Sequence, residues 1–204
     1  MLKYDEFITE KRSEFPFIQA SKRGKRELVE AYIKDGVNID QKDNNGRTAL
    51  MWAVLNSKLS IVDILLKNGA DPHLRENFSR SILAMAATLK IVDKLLDAGV
   101  DVNIQNSYNG NTAIMEYLDY DWTADQIIIL IDKFVKHGLD LDIKNFVNDH
   151  NFYEKLQQHI KRADALKIDE SIEKYNKIKE YMDEKFPQYK EEWDFKHNVK
   201  KYNL

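Results

Sequence analysis

Apolar positions along the chain fall into two recurring kinds of segment. The first is an apolar run closed by a glycine and a short polar-apolar tail. It occurs as LVEAYIKDGVNID at 28–40, IVDILLKNGADPH at 61–73, IVDKLLDAGVDVN at 91–103 and LIDKFVKHGLDLD at 130–142. Within it, positions such as Ile61, Val62, Leu65 and Leu66 form one stripe of a helix. The glycines, Gly36, Gly69, Gly99 and Gly138, stand where a helix is expected to end in the left-handed backbone, and they fall 33, 30 and 39 residues apart. The second segment precedes three of these runs: DNNGRTALMWAV at 43–54, ENFSRSILAMAA at 76–87 and NSYNGNTAIMEYL at 106–118. Asn45-Gly46 and Asn109-Gly110 signal turns, and Thr48, Ser81 and Thr112 are placed to cap a helix. Leu50, Ala53 and Val54 then share one face of it. The predicted unit is a turn followed by two helices, repeated with a period near that of about 33 residues, whose apolar stripes are buried by stacking on the next unit.

Departures from the period also carry predictions. The third repeat is about three residues short between Ala86 and Val92, so one helix loses most of a turn there or the helix connection tightens. The fourth is long around Asp119 to Thr123, just before a capping box of Thr123 and Gln126. The first, about 14–42, keeps Ala20, Gly24, Val29, Gly36 and Asn38 with no turn segment before it, as an N-terminal cap does. Beyond Asn145 the pattern fades, although Phe152, Tyr153, Leu156 and Ile160 have helical spacing and fit the first helix of a degenerate fifth repeat. Ile172, Tyr175, Ile178, Met182 and Phe186 mark one stripe of a charged helix from Asp169 to about Phe186, which Pro187 should stop. This helix reads as a C-terminal cap, with contact to a partner as the alternative. Residues 188–204 hold Trp193 and Phe195 among charges, and either fold back or stay mobile.

Residues 43–71 resemble the ankyrin-repeat family, whose motif is D-x-x-G-x-T-P-L-H-x-A-A followed by V-x-x-L-L and G-A. Asp43, Gly46, Thr48, Leu50, Ala53, Val62, Leu65, Leu66, Gly69, Ala70 and Asp71 fall on its positions, while Ala49 and Met51 replace the usual proline and histidine. The resemblance implies an all-α ankyrin-repeat solenoid of about four to five helix-turn-helix repeats with N- and C-terminal capping helices. The repeats would occupy 1–145, as a cap repeat at about 14–42 and further repeats at 43–75, 76–105 and 106–145; residues 146–204 would hold the degenerate fifth repeat, the capping helix and the tail.

Family members usually bind partners on a concave surface of turns and first helices, at non-core positions of the motif. Those positions here are Asn44, Asn45, Arg47, Leu55 and Asn56, then Asn77, Phe78 and Arg80, then Tyr108, Asn111, Asp119 and Tyr120, with Trp122 nearby. Phe78, Tyr108, Tyr120 and Trp122 are aromatics at sites a stack does not need, and aromatics with arginine dominate interface hot spots. Tyr120 and Trp122 read equally well as packing for the insertion. Asp119, Asp121 and Asp125 would favour a partner with a basic patch if the fold clusters them.

Composition narrows the function further. A chain of 204 residues suits one elongated domain, and its 43% hydrophobic and 32% charged residues are ordinary for a soluble fold. No apolar stretch approaches the roughly 18–20 residues of a membrane span, and MLKYDEFITEKRSEF lacks the features of a secretory signal, so the expected location is cytoplasmic. The absence of cysteine closes thiol chemistry and thiolate metal sites. A net charge of -3 argues against a nucleic-acid partner. The histidines, His73, His137, His150, His159 and His197, lack metal-ligand spacing, and His137 suits a helix C-terminus through the dipole. There is no glycine-rich phosphate loop, no G-x-S-x-G and no H-E-x-x-H. The expectation is a non-enzymatic protein-binding module, monomeric alone, with no catalytic residue, cofactor, metal or membrane. Compact stand-alone solenoids of this kind occur in bacteria as immunity proteins, which narrows the expectation to an inhibitor of a toxin or enzyme. Its rivals are an effector that binds host proteins, a ligand sensor or enzyme using the 119–123 insertion, and a scaffold oligomerising through Trp193.

Overall fold

The structure is a computed structural model and describes residues 15–192 and 194. Among the described residues every regular element is a helix. The chain divides into two compact units, Met1–Tyr108 and Asn109–Leu204.

In the first unit, α1 (Pro16–Arg23), α2 (Arg26–Lys34), α3 (Ala49–Leu55) and α4 (Leu59–Lys67) form two helix pairs, followed by a short 3-10 turn (Leu83–Met85) and α5 (Leu89–Asp97). α1 packs on α3, α2 on α4, α3 on the 3-10 turn and α4 on α5, so first helices meet first helices and second helices meet second helices. The expected stripes form the core, with Leu50, Ala53 and Val54 of α3 and Ile61, Val62 and Leu65 of α4 fully buried, while Leu66 is half-buried. Met51, which stands in the histidine position of the resembled motif, is buried with them. Thr48 caps α3 by accepting from Met51 N–H at 3.3 Å.

The short third repeat spends its deletion on the first helix. Only the 3-10 turn remains of it, opened by Ser81 Oγ, which accepts from Leu83 N–H at 3.3 Å. Ala86 then goes extended, and Thr88 restarts the chain as the cap of α5 by accepting from Ile91 N–H. Burial of Ile82, Leu83, Ala84, Met85 and Ala86 keeps the layer filled despite the lost turn.

The turns form a ladder of their own. Asp43 Oδ1 accepts from Asn45 N–H and Arg47 N–H, both at 2.9 Å, and closes the fingertip. Asn77 N–H donates to Asn45 O at 3.2 Å, and Ser107 N–H donates to Phe78 O at 3.2 Å, so each fingertip holds the next. Gly46 sits at φ 76°, where an added Cβ would lie 2.4 Å from Asn77 Oδ1. Ser79 takes the same left-handed backbone, φ 56°, in the next fingertip.

The second unit contains α6 (Ala113–Tyr117), α7 (Ala124–Lys136), α8 (Phe152–Leu166) and α9 (Asp169–Lys185). Thr123 and Gln126 form the expected capping box on α7, and Asn151 with Glu154 forms another on α8 that the spacing argument did not anticipate. Thr112 holds the extended N-cap backbone of α6, but its hydroxyl makes no capping bond, contrary to its expected role. The fingertip bond recurs once more, from Phe146 N–H to Asn109 O at 2.7 Å, with Asn145 Oδ1 accepting from Asn148 N–H at 3.0 Å. The turn-then-helix pattern therefore continues through α8, whose Phe152, Tyr153 and Leu156 are buried.

α9 packs on α8 and α7 and buries Ile178 and Met182. Its polar side chains reach back to earlier elements: Tyr175 Oη donates to Leu118 O at 3.0 Å, Tyr181 Oη to Asp132 at 2.6 Å, and Lys185 pairs with Asp132. Tyr153 of α8 donates to Asp183, and burial followed by that carboxylate pushes the Tyr153 hydroxyl pKa well up. α9 ends at Lys185 with Phe186 as its cap, just before Pro187 as expected, and a separate helical stretch begins at Pro187. Of the tail, Trp193, Phe195 and residues 196–204 lie outside the described residues.

Candidate functional site

In the first unit the sequence-derived residues lie in the fingertips and at the end of the first helix α3. Asn44, Asn45 and Asn77 are exposed, and Phe78 and Tyr108 stand out at 61% and 83% exposure. Asn56 is half-buried and turns its amide back onto Trp52 O at 2.8 Å, which makes it a helix terminator first. Arg47 and Arg80 occupy the same position in successive repeats, four residues after Asp43 and Glu76. Both guanidiniums lean on the Glu76 carboxylate, with Arg47 Nε 3.9 Å and Arg80 Nε 3.5 Å from its oxygens.

Glu76 was missed by sequence reasoning, as was Trp52. The Glu76 side chain is 0% exposed, whereas those of Arg47 and Arg80 remain 20% and 26% exposed. Trp52 of α3 donates its indole N–H to Asp43 Oδ2 at 2.7 Å and lies beneath two cations, Lys22 Nζ at 4.1 Å and the Arg47 guanidinium carbon at 5.0 Å from the ring centre. The signal in the sequence was the register itself: Asp43, Glu76, Asn106 and Asn145 are equivalent turn residues, and only Glu76 is long enough to reach between two arginines.

The second unit treats its residues differently. Asn111 is buried, which corrects its expected place on the surface. Trp122 is buried too, with its ring centre 5.0 Å from that of Tyr117, so the insertion uses it as core. Tyr120 stays exposed. Asp119 is exposed but engaged, by Lys155 Nζ at 2.5 Å and His159 Nε2 at 3.0 Å. Burial acts to raise its pKa, but the hydrogen bonds and charges of His159 and Lys155 outweigh that and hold the carboxyl below its usual value. Asp125 pairs with Lys177 at 2.7 Å. Two of the three acids, Asp119 and Asp125, are thus paired by cations of α8 and α9 rather than left free.

Beside the insertion lies an open cleft of about 490 Å³, lined by Trp122, Asp125, Glu170, Lys174 and Lys177 among others. Of its charges Asp125 pairs with Lys177, and Lys174 Nζ donates to Tyr120 O at 3.1 Å. Among the described residues no group of three or more histidines or carboxylates is placed to hold a metal ion, and no helix is long and apolar enough to cross a membrane. His137, at the end of α7, donates from Nδ1 to Lys133 O at 2.7 Å, a helix-terminal hydrogen bond that the sequence reading did not specify.

A turn and two helices per repeat, with fingertip bonded to fingertip, is matched by a family model described as "Ankyrin repeats (3 copies)" over residues 1–76. The repeats are ankyrin repeats. An ankyrin repeat protein of Fowlpox virus (strain NVSL) is 32% identical over 176 residues, 80% of this chain and 50% of its own. An ankyrin repeat protein of Rickettsia felis is 31% identical over 123 residues, 57% of this chain and 38% of its own. Alpha-latroinsectotoxin-Lt1a of Latrodectus tredecimguttatus is 27% identical over 117 residues, 54% of this chain and 8% of its own. The chain spans half the length of the viral relative and less of the other two. Ankyrin repeats are generally protein-protein interaction modules, which directs attention to the exposed fingertips of the first unit rather than to the cleft of the second.

The repeat register also exposes residues that sequence reasoning passed over. Phe146 and Val147, both exposed, occupy the fingertip bonded to Asn109. The motif fades beyond Asn145 in the sequence, which leaves this fingertip without a sequence signal.

Proposed function

We propose that the protein is a non-enzymatic binding protein that engages a protein partner through its ankyrin fingertips and first helices. The observation that carries this reading is the row formed by Arg47, Phe78, Arg80 and Tyr108. Exposed aromatics and partly exposed arginines come from successive fingertips there, and backbone hydrogen bonds tie those fingertips to one another. Preorganised fingertips lose little freedom on binding, which favours affinity from a small number of anchors. The described residues Asn44, Asn45 and Asn77 form the polar surround, and Tyr120 is a candidate anchor of the second unit. Asn111 and Trp122 act behind the surface.

The test is to recover tagged protein from native lysate and compare it with a folded Phe78→Ala, Arg80→Ala, Tyr108→Ala variant. A partner held by the native protein and lost from the variant supports the reading. A partner retained equally by both refutes it. Inhibition of that partner, as by an immunity protein, is the narrower form of the proposal: adding the purified chain to a recovered enzyme should lower its activity, and unchanged activity removes the inhibitor role.

A second reading is that the partner belongs to a host cell. The similarity to a Fowlpox virus protein across 80% of this chain supports it. Recovery of the partner from host lysate but not from the source organism's own lysate would separate the two readings.

A further inference from the structure

We infer that the fingertip face of the first unit takes an acidic protein segment, with its carboxylates set on Arg47, Arg80 and Lys22 and its apolar side chains on Phe78 and Tyr108. This rests on the binding proposed above and specifies its chemistry. Contiguous contacts run from Lys22 over Trp52 to Arg47, then to Glu76 and Arg80, across three successive repeats.

Along that line the acceptors are closed, while the arginine side chains stay partly exposed, Arg47 at 20% and Arg80 at 26%. Asp43 has both oxygens occupied, Oδ1 by two backbone N–H groups and Oδ2 by the Trp52 indole. The Glu76 side chain is wholly buried beside the two arginines. Neither guanidinium is within hydrogen-bonding geometry of Glu76, and both of its oxygens and Arg47 Nε are buried without a hydrogen-bond partner. Each guanidinium carries five N–H donors in a fixed fork, and a carboxylate matches two of them at once. Lys22 contributes a third cation whose contact is with the face of Trp52.

A basic segment would meet three cations whose counter-charges are buried or already hydrogen-bonded, and would be repelled. A polyanionic nucleic acid shares the negative charge, but three cations on a chain of net charge -3 make a weak phosphate track. The aromatic fingertips beside the arginines instead match the mixed acidic and apolar character of a protein segment.

The experiment uses the full chain, labelled for NMR. It follows the Trp52 indole N–H and the Arg47 and Arg80 Nε–H signals during titration at constant ionic strength. The probes are a synthetic peptide of alternating glutamate and tyrosine, the same peptide with lysine for glutamate, and a uridine oligonucleotide. The glutamate peptide is expected to shift these signals in a saturable way that weakens as NaCl is raised, while the lysine peptide leaves them in place. In an Arg47→Gln, Glu76→Gln, Arg80→Gln variant, which leaves no buried unpaired charge, the dissociation constant should rise about tenfold or more. Arg80→Gln alone, keeping the Arg47–Glu76 contact, should show a smaller rise and serves if the triple variant does not fold. Larger shifts with the lysine peptide or the oligonucleotide, or none with the glutamate peptide, overturn the inference. Should a natural partner still depend on Phe78 and Tyr108 in that event, the binding face stands and only its acidic preference falls.

Discussion

At the scale of single residues, the equivalent turn positions do different work with small changes of side chain. Asp43 and Asn145 use a short side chain to tie down their own turns, whereas Glu76 extends past its turn and gathers two arginines. The left-handed position three or four residues later, Gly46, Ser79 or Gly110, also differs in side chain from turn to turn. Gly110 holds φ 74°, and an added Cβ would lie 2.6 Å from the Phe146 ring and 2.7 Å from its backbone nitrogen. Gly110→Ala should therefore destabilise the protein by more than about 1 kcal/mol. Ser79 bears a left-handed backbone with a Cβ. Ser79→Gly should raise stability by about 0.5–1 kcal/mol, the relief of strain being partly offset by the freer unfolded chain. Urea denaturation of both variants checks the opposite signs.

At the scale of elements, packing overrides propensity where the period breaks. The third repeat carries ILAMAA, a good helix-forming run, yet folds as a 3-10 turn and an extended residue, because the shortened chain must still reach the cap of α5. In the second unit, the longer connection between α6 and α7 folds Trp122 inward and sends Asp119 to Lys155 and His159 of α8. A carboxyl whose pKa is lowered on folding stabilises the fold above its unfolded value and loses that contribution as pH falls through the lowered folded value. The Asp119 contribution should accordingly be intact above its ordinary value of 3.8 and vanish in stronger acid. Acid unfolding followed at α8, compared between the native protein and Asp119→Asn, should show a less steep loss in the variant. Equal slopes would mean that the Asp119 cluster does not act on stability.

At the scale of the whole molecule, each repeat leaves an apolar face that the next must cover, so the last face needs a helix that is apolar inside and charged outside. α9 has that form in the second unit, with Ile178 and Met182 buried and lysines and carboxylates outward. Ile178→Ala should cost about 2–4 kcal/mol through the cavity it leaves. Since repeat proteins couple mainly to nearest neighbours, hydrogen exchange should speed most in α7, α8 and α9. Uniform acceleration extending to α3 and α4 would contradict that locality.

The ankyrin period, the helix pairs, the left-handed glycines, the Thr123–Gln126 box and the shortened third repeat were all legible in the sequence. Each depends on residues close in the chain or on a fixed repeat spacing, and those forces act locally. The closing helix was legible for the same reason, as a stripe of one period. The character of the surface was not. Whether Trp122 faced a partner or the core, whether Asp119 and Asp125 were free or paired, and whether Arg47 and Arg80 shared one carboxylate were decided by residues far apart in sequence: Tyr117 and Phe134 around the insertion, Lys155 and Lys177 against the acids, and Glu76 between the arginines. Periodicity says which side of a helix turns inward, but a side chain's charge and exposure depend on what the neighbouring repeat brings against it, and only the tertiary structure makes that pairing.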